Sequence, residues 1–187
     1  VGASSLIFLA KGNPIGQFLM IIFSILYGII SYSFSYYGEM ITYLGMSMPA
    51  AVFSLITWVR NPYNGNKNQV EIGEMNRTKS VFLTVSSVFV TVLFYFILKY
   101  FNTANLYVST LSVTTSFAAA YFSFFRSPYY ALAYSINDLV LIALWIYASF
   151  HSMGYVSVVV CFVVFFVNDF YGFISWSKRK KVQKNNK

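Results

Sequence analysis

Residues 126–178 read RSPYYALAYSINDLVLIALWIYASFHSMGYVSVVVCFVVFFVNDFYGFISWSK, and residues 11–60 read KGNPIGQFLMIIFSILYGIISYSFSYYGEMITYLGMSMPAAVFSLITWVR. Both hold the same order of features: a basic residue just before a proline, an apolar run, a glycine, a second apolar run, and a tryptophan followed by a basic residue. Pro14 to Gly38 is 24 residues and Pro128 to Gly154 is 26, while Gly38 to Trp58 is 20 and Gly154 to Trp176 is 22. The units match at an offset of 114 at the prolines and 118 at the tryptophans, which is the signature of an internal repeat.

Each apolar run has the length of a membrane helix, since a rise of roughly 1.5 Å per residue must cross about 30 Å of hydrocarbon. Working outward, six complete spans are expected at 16–36, 39–59, 80–101, 104–125, 129–150 and 153–176. The span at 104–125 precedes Arg126, so its repeat counterpart should precede Lys11. The apolar stub 1–10 is too short to cross and lacks the pattern of a signal peptide, so it is read as the tail of that first helix, truncated in this chain. Two three-helix units each leave the chain on the far side of the bilayer, and a linker helix must bring it back. The expected fold class is therefore an all-α integral membrane protein, a 3+1+3 bundle of parallel repeats related by an axis along the membrane normal. Its segments are the first repeat at 1–61 with an incomplete first helix, a cytoplasmic loop at 62–79, the linker helix at 80–103, the second repeat at 104–177 and a basic cytoplasmic tail at 178–187. The loop RNPYNGNKNQVEIGEMNRTK carries the turn pairs Asn61-Pro62 and Asn64-Gly65 and reads as a surface connection.

Composition agrees with lipid as the solvent. The chain of 187 residues is 58% hydrophobic, 21% aromatic and only 10% charged, against about 25% charged in a soluble domain, which excludes an ordinary soluble enzyme. Cys161 is the single cysteine, so neither a disulfide framework nor a cysteine metal site is available within one chain. With 13 Lys and Arg against 5 Asp and Glu the net charge is +8. These bases are segregated along the chain rather than gathered on one face, so they read as topology and not as a nucleic-acid surface. Counting alternate loops, twelve of the 13 fall on one side and Lys99 alone on the other. By the positive-inside rule the basic side is cytoplasmic, which puts the C-terminus inside and the protein in a cell membrane as a multi-pass component. The run SKRKK after the last helix suits anionic headgroups.

Inside the membrane the informative groups are two pairs, Asn137-Asp138 and Asn168-Asp169. Intramembrane carboxylates are costly and mark a solute or ion path by default. Helical spacing puts Tyr134, Asn137, Asp138, Leu141 and Trp145 on one face of the span 129–150, and Phe165, Asn168, Asp169, Gly172 and Trp176 on one face of the last. The candidate substrate-binding residues are thus Asn137, Asn168, Asp138, Asp169, Tyr134, Trp145 and Trp176. Aromatic rings stack on planar solutes and attract cations, and amides match hydroxyls or a carboxamide. With no Lys or Arg well inside a span, a phosphate monoester lacks charge-assisted partners. The site suits a neutral or cationic solute bearing a ring. Trp58 and Trp176 also suit the role of interface anchors. Ser109, Thr110, Ser112, Thr114, Thr115 and Ser116 read as a small-residue packing surface, and His151 reads as solvated in an outer loop. No P-loop, paired-histidine metal site or nucleophile elbow is present in the sequence, so no catalytic residue, metal or cofactor is assigned and the chain is read as no enzyme.

The stretches YYGEMITYLGMSMPAAVFSLITWVRNPY, SINDLVLIALWIYAS and VVFFVNDFYGFISW resemble the PnuC family of bacterial nicotinamide riboside transporters over nearly the whole chain. In the last helix Asn168, Gly172 and Trp176 match the family's Asn-x3-Gly-x3-Trp pattern, and Asn137 matches the asparagine of the preceding helix. The resemblance implies a 3+1+3 vitamin transporter, similar in plan to the SWEET sugar carriers. It also implies that nicotinamide riboside enters by facilitated diffusion through the bacterial inner membrane and is trapped by phosphorylation. A carrier of another nucleoside or of a ring-bearing vitamin such as thiamine is the second hypothesis, and a non-transporting membrane subunit the third. The partners named are a nucleoside-like small molecule and the lipid bilayer, with no nucleic acid and with a homo-oligomer left open.

The charge asymmetry generates a direct check. A cysteine introduced at Asn66 should react only with a reagent confined to the cytoplasmic side, and one at Ser152 only from outside. Labelling of both positions from the same side would disprove the layout.

Overall fold

The computed structural model describes residues 1–33, 37–103, 105–150 and 156–185. His151 and the repeat landmarks Met153 and Gly154 lie outside the described residues. The described chain is almost wholly helical: α1 (Gly2–Ala10), α2 (Ile15–Ser33), a continuous rod made of α3 (Tyr37–Thr42), a π-helical turn (Tyr43–Ser47) and α4 (Met48–Arg60), then α5 (Arg77–Tyr100), α6 (Leu106–Phe124), α7 (Tyr129–Ser149) and α8 (Val156–Asn185). Five helices among the described residues are long and apolar enough to cross a membrane, namely α2, the rod Tyr37–Arg60, α5, α7 and α8. The run expected at 104–125 is helical as α6 but is not one of these five, because its serines and threonines dilute its hydropathy. Large apolar side chains such as Phe82, Val85, Phe89 and Phe96 on α5 are more than half exposed, as side chains facing lipid are.

Local chemistry accounts for the breaks. Pro49 has no N–H to continue the helical ladder and its ring crowds the carbonyl four residues back, and the turn just before it widens to the π form over Tyr43–Ser47. Asn76 caps α5, its side-chain oxygen accepting from the Lys79 N–H at 2.9 Å. α1 and α6 end in the same way. Gly12 has φ +68° and Arg126 has φ +55°. Around Gly12 the Gly12 and Asn13 N–H groups donate to the Leu9 and Phe8 carbonyls. The Arg126 and Ser127 N–H groups likewise donate to Ser123 and Phe122. Each pair lies 114 residues apart, the offset of the prolines. Glycine takes this left-handed conformation freely, whereas Arg126 holds it at a cost of roughly 1 kcal/mol.

The packing is reciprocal. α1 packs on α2 and α8, α4 on α2 and α6, α7 on both α6 and α8, and α5 on α6. The Trp58 indole N–H of α4 donates to the Ser123 carbonyl of α6 at 2.8 Å, and the Trp176 indole N–H of α8 donates to the Leu9 carbonyl of α1 at 2.9 Å. The two rings, both almost wholly buried, touch at 5.2 Å between centroids, and Tyr130 packs edge-on against Trp176 at 4.8 Å. Leu6, Leu9, Val70 and Ala131 complete this core. Gly172 lets α8 approach the methyl groups of Ala10 and Ala131 at van der Waals distance.

Two sequence expectations change here. The segment after Arg60 is a latched hairpin rather than a loose surface connection. Pro62–Tyr63 pairs with Asn66–Val70 across Asn64-Gly65, both at positive φ as a tight hairpin turn requires. Val70 is buried, its N–H donates to the Gly12 carbonyl, and Gln183 clamps the same strand by donating to the Val70 carbonyl and accepting from the Ile72 N–H. The region expected as a basic tail at 178–187 is instead the last turns of α8 as far as Asn185, held down by Gln183 and by Arg179 donating to the Lys11 carbonyl. Beside the hairpin, burial pushes the Arg126 guanidinium below its ordinary value, an effect that Glu71 opposes.

The paired indoles predict stability effects. Trp58→Phe and Trp176→Phe should each lower stability by roughly 1–3 kcal/mol through lost packing and a lost buried hydrogen bond. The double variant should fall short of the sum because the rings touch. Thermal unfolding in detergent checks this, and an unchanged Tm in either single variant would contradict it.

Candidate functional site

A cavity of about 120 Å³ lies between the two halves of the bundle, and a larger hollow of about 670 Å³ continues from it toward the helix ends at Ser31, Tyr37, Asn102 and Ser157. The Trp58, Tyr130 and Trp176 cluster occupies the opposite end. The stripe Phe162, Phe165, Asp169, Gly172 and Trp176 runs along one face of α8. Its first three members line the cavity, whereas Gly172 and Trp176 belong to the packed core beyond it.

Asn137, Asp138, Tyr134 and Trp145 of α7 and Asp169 of α8 all line the cavity. Asn137 is buried, and its side-chain oxygen accepts from the Ser112 and Thr115 hydroxyls of α6 at 3.0 and 2.8 Å. Those two bonds fix the amide and turn its remaining polarity away from α6. The Asp138 and Asp169 carboxyls are both buried and adjoin each other, and Asp138 Oδ2 has no hydrogen-bond partner. The structure thus brings five of the seven expected residues to one cavity.

Asn168 and Trp176 are placed elsewhere. Asn168 stands a helical step round from Asp169, off the cavity wall, with its amide nitrogen buried and unpartnered. Trp176 shared the expected face, but its indole is consumed by the Leu9 carbonyl and the Trp58 ring. The hydroxyl surface of α6 is divided in use. Thr114 pairs with Thr91 of α5 at 2.7 Å as packing, while Ser109, Ser112 and Ser116 line the cavity.

The other wall was missed. Phe23 and Tyr27 of α2, Glu39 and Thr42 of α3, and Tyr43, Met46 and Ser47 of the π turn all line the cavity. Tyr27 and Tyr43 pack at 4.3 Å between centroids, with Phe23 edge-on to Tyr43 at 6.0 Å. Glu39 stands at the first position of the span expected at 39–59, where a carboxylate reads as an interfacial residue. The π turn before Pro49 carries this wall inward, and π turns are frequent at functional sites. The nearest sequence signal was the lone acid within an apolar run, followed by Pro49.

Chemically, the walls supply three carboxyls, one amide, several hydroxyls and stacked aromatic rings, and no Lys or Arg among the described residues that line it. No group of three or more His, Cys, Asp or Glu among the described residues is arranged to hold a metal ion. Such a cavity can enclose a flat ring, hydrogen-bond hydroxyls and tolerate positive charge.

Known proteins resemble this chain in sequence and in fold. A family model described as nicotinamide mononucleotide transporter matches residues 1–178. The nicotinamide riboside transporter PnuC of Neisseria mucosa is 26% identical over 191 residues, covering 96% of this chain and 70% of that protein. The crystal structure of the vitamin B3 transporter PnuC superposes with a TM-score of 0.79 at 22% identity, covering 97% of this chain and 79% of the other, and so shares the fold. A match over almost the entire sequence settles the kinship: this chain belongs to the nicotinamide mononucleotide transporter family.

Proposed function

We propose that the chain is a passive carrier of nicotinamide riboside and does not carry the phosphorylated mononucleotide. The family's description names the mononucleotide and the Neisseria relative the riboside. One observation favours the riboside: the cavity wall holds Glu39, Asp138 and Asp169 and, among the described residues, no Lys or Arg. A phosphate monoester in so dry a place needs charge-assisted donors, and the described wall offers none. The riboside offers a ring for Tyr27, Tyr43 and Trp145, and a carboxamide and hydroxyls for Asn137 and the serines of α6. Phosphorylation after entry then traps the solute, because the product no longer fits the cavity chemically.

The reading includes the 3+1+3 plan, with α1, α2 and the rod Tyr37–Arg60 as one unit, α5 as linker, and α6, α7 and α8 as the other. It is supported by the matching turns at Gly12 and Arg126 and by the reciprocal indole bonds of Trp58 and Trp176. The charge asymmetry puts the hairpin and the end of α8 in the cytoplasm. The larger hollow then faces outward and the tryptophan core seals the inner end, one of the two states that a carrier needs. Asn137, Asp138, Asp169, Tyr134 and Trp145 hold the solute. Asn168 supports Asp169 from behind, and Trp176 belongs to the seal.

Purified protein in liposomes should take up radiolabelled nicotinamide riboside down its gradient and exclude the mononucleotide. Asn137→Leu leaves solute groups unpaired and should remove roughly 1–3 kcal/mol of binding, so uptake at low concentration should fall about tenfold or more, with Trp145→Ala acting similarly through lost stacking. Asn168→Leu should have the smaller effect. Uptake of the mononucleotide as fast as the riboside, or no uptake of the riboside, would overturn the proposal.

A further inference from the structure

We infer that Glu39 and Asp138 make the cavity selective for a permanently cationic aromatic ring, as opposed to a neutral ring of the same shape. This rests on the nucleoside-carrier reading above and adds to it the feature of the solute that is read and the residues that read it.

Three observations point the same way. The acids come from both walls, Glu39 from α3, Asp138 from α7 and Asp169 from α8, and all three line one cavity. No Lys or Arg among the described lining residues neutralises them. Asp138 is only 4% exposed, its Oδ2 accepts from no donor of the protein, and the one group that meets its carboxyl is the adjoining carboxyl of Asp169. Two buried carboxyls that meet cannot both be ionised without a positive charge beside them, and a cation entering the cavity supplies that charge. The groups that face the acids from the surrounding elements are Tyr27 of α2, Tyr43 of the π turn, Tyr130 and Tyr134 of α7, and Cys161 of α8. These can donate a proton or a hydrogen bond, but none of them carries positive charge.

The spacing of the acids says what kind of cation fits. The three do not converge as metal ligands do; Asp138 and Asp169 adjoin on one wall and Glu39 stands on the other, with Phe23, Tyr27, Tyr43 and Trp145 lining the same space. A small hard ion needs several oxygens at one point. A flat ring whose charge is delocalised needs carboxyls at a distance and aromatic faces close by, because ring faces attract cations most strongly once water has been removed. A pyridinium or a thiazolium has that form. A neutral ring gains the stacking but no attraction to the acids, and that difference provides the discrimination.

The test compares ligands matched in shape and different in charge. Nicotinamide riboside and its reduced dihydro form share ribose and carboxamide, but only the first has a charged ring; thiamine and its neutral thiophene analogue, deazathiamine, form a second pair. Binding to the purified full chain is measured by calorimetry for wild type, Glu39→Gln and Asp138→Asn. Wild type should prefer the cationic member by about tenfold or more. Each variant should lose most of that preference, its affinity for the cationic member falling toward that for the neutral one, and an unchanged Tm in detergent shows that it has folded. Equal binding within the pairs, a preference unchanged in both variants, or binding of no ligand in either pair would overturn the proposal. Preference for thiamine without binding of the riboside would sustain charge selection and overturn the choice of nicotinamide riboside as the solute.

Discussion

Lipid offers no hydrogen bonds and no dielectric relief, so every polar group carried into the bilayer must be answered within the protein. The rest of the structure depends on that constraint. It makes the chain helical, pushes the serine and threonine hydroxyls back onto carbonyls one turn earlier, as at Thr42, Thr57 and Ser86, and pairs Thr91 with Thr114 between neighbouring helices. It also sets the two indole N–H groups against carbonyls at the ends of α1 and α6. Each of those carbonyls also accepts from the turn that ends its helix, Leu9 from the Gly12 N–H and Ser123 from the Arg126 N–H, and the indole takes up the acceptor capacity that remains.

Against that background the exceptions are informative. Ser24 and Asp138 stand at the same offset of 114 residues as the two prolines, and each keeps a buried oxygen without a partner. One position carries a serine and the other a carboxyl. Asn137 shows the opposite treatment, with Ser112 and Thr115 both directed at its oxygen. A side chain locked by two donors is preorganised and adds little entropy cost on binding. Rigid amide, adjoining carboxyls and aromatic rings thus line one cavity.

The end of the bundle away from the cavity is held by packing. Trp58, Trp176 and Tyr130 fill the space where the helices meet, and the hairpin strand ending at Val70 packs against them. Arg179 and Gln183 fasten that strand and the turn at Lys11 to the end of α8. Any movement at this end must therefore disturb α8 and the hairpin together.

The sequence by itself determined the membrane class, placed the long apolar helices to within a few residues, and singled out five residues that line the cavity. Apolar length and charge asymmetry are local quantities that need no knowledge of neighbours, and an intramembrane carboxylate is conspicuous wherever it points. Tertiary structure alone decided which face of each helix meets which partner. Asn168 and Asp169 are adjacent in the sequence, yet a rotation of about 100° per residue sends one behind the wall and the other into it. Trp176 shared the expected face, but its indole was claimed by a carbonyl 167 residues away. Glu39 was not singled out by the sequence, and it joins the cavity because the helix that carries it, with the π turn that follows before Pro49, forms the other wall. Periodicity records the direction of a side chain relative to its own helix, whereas a site is defined by what the other helices bring to the same point.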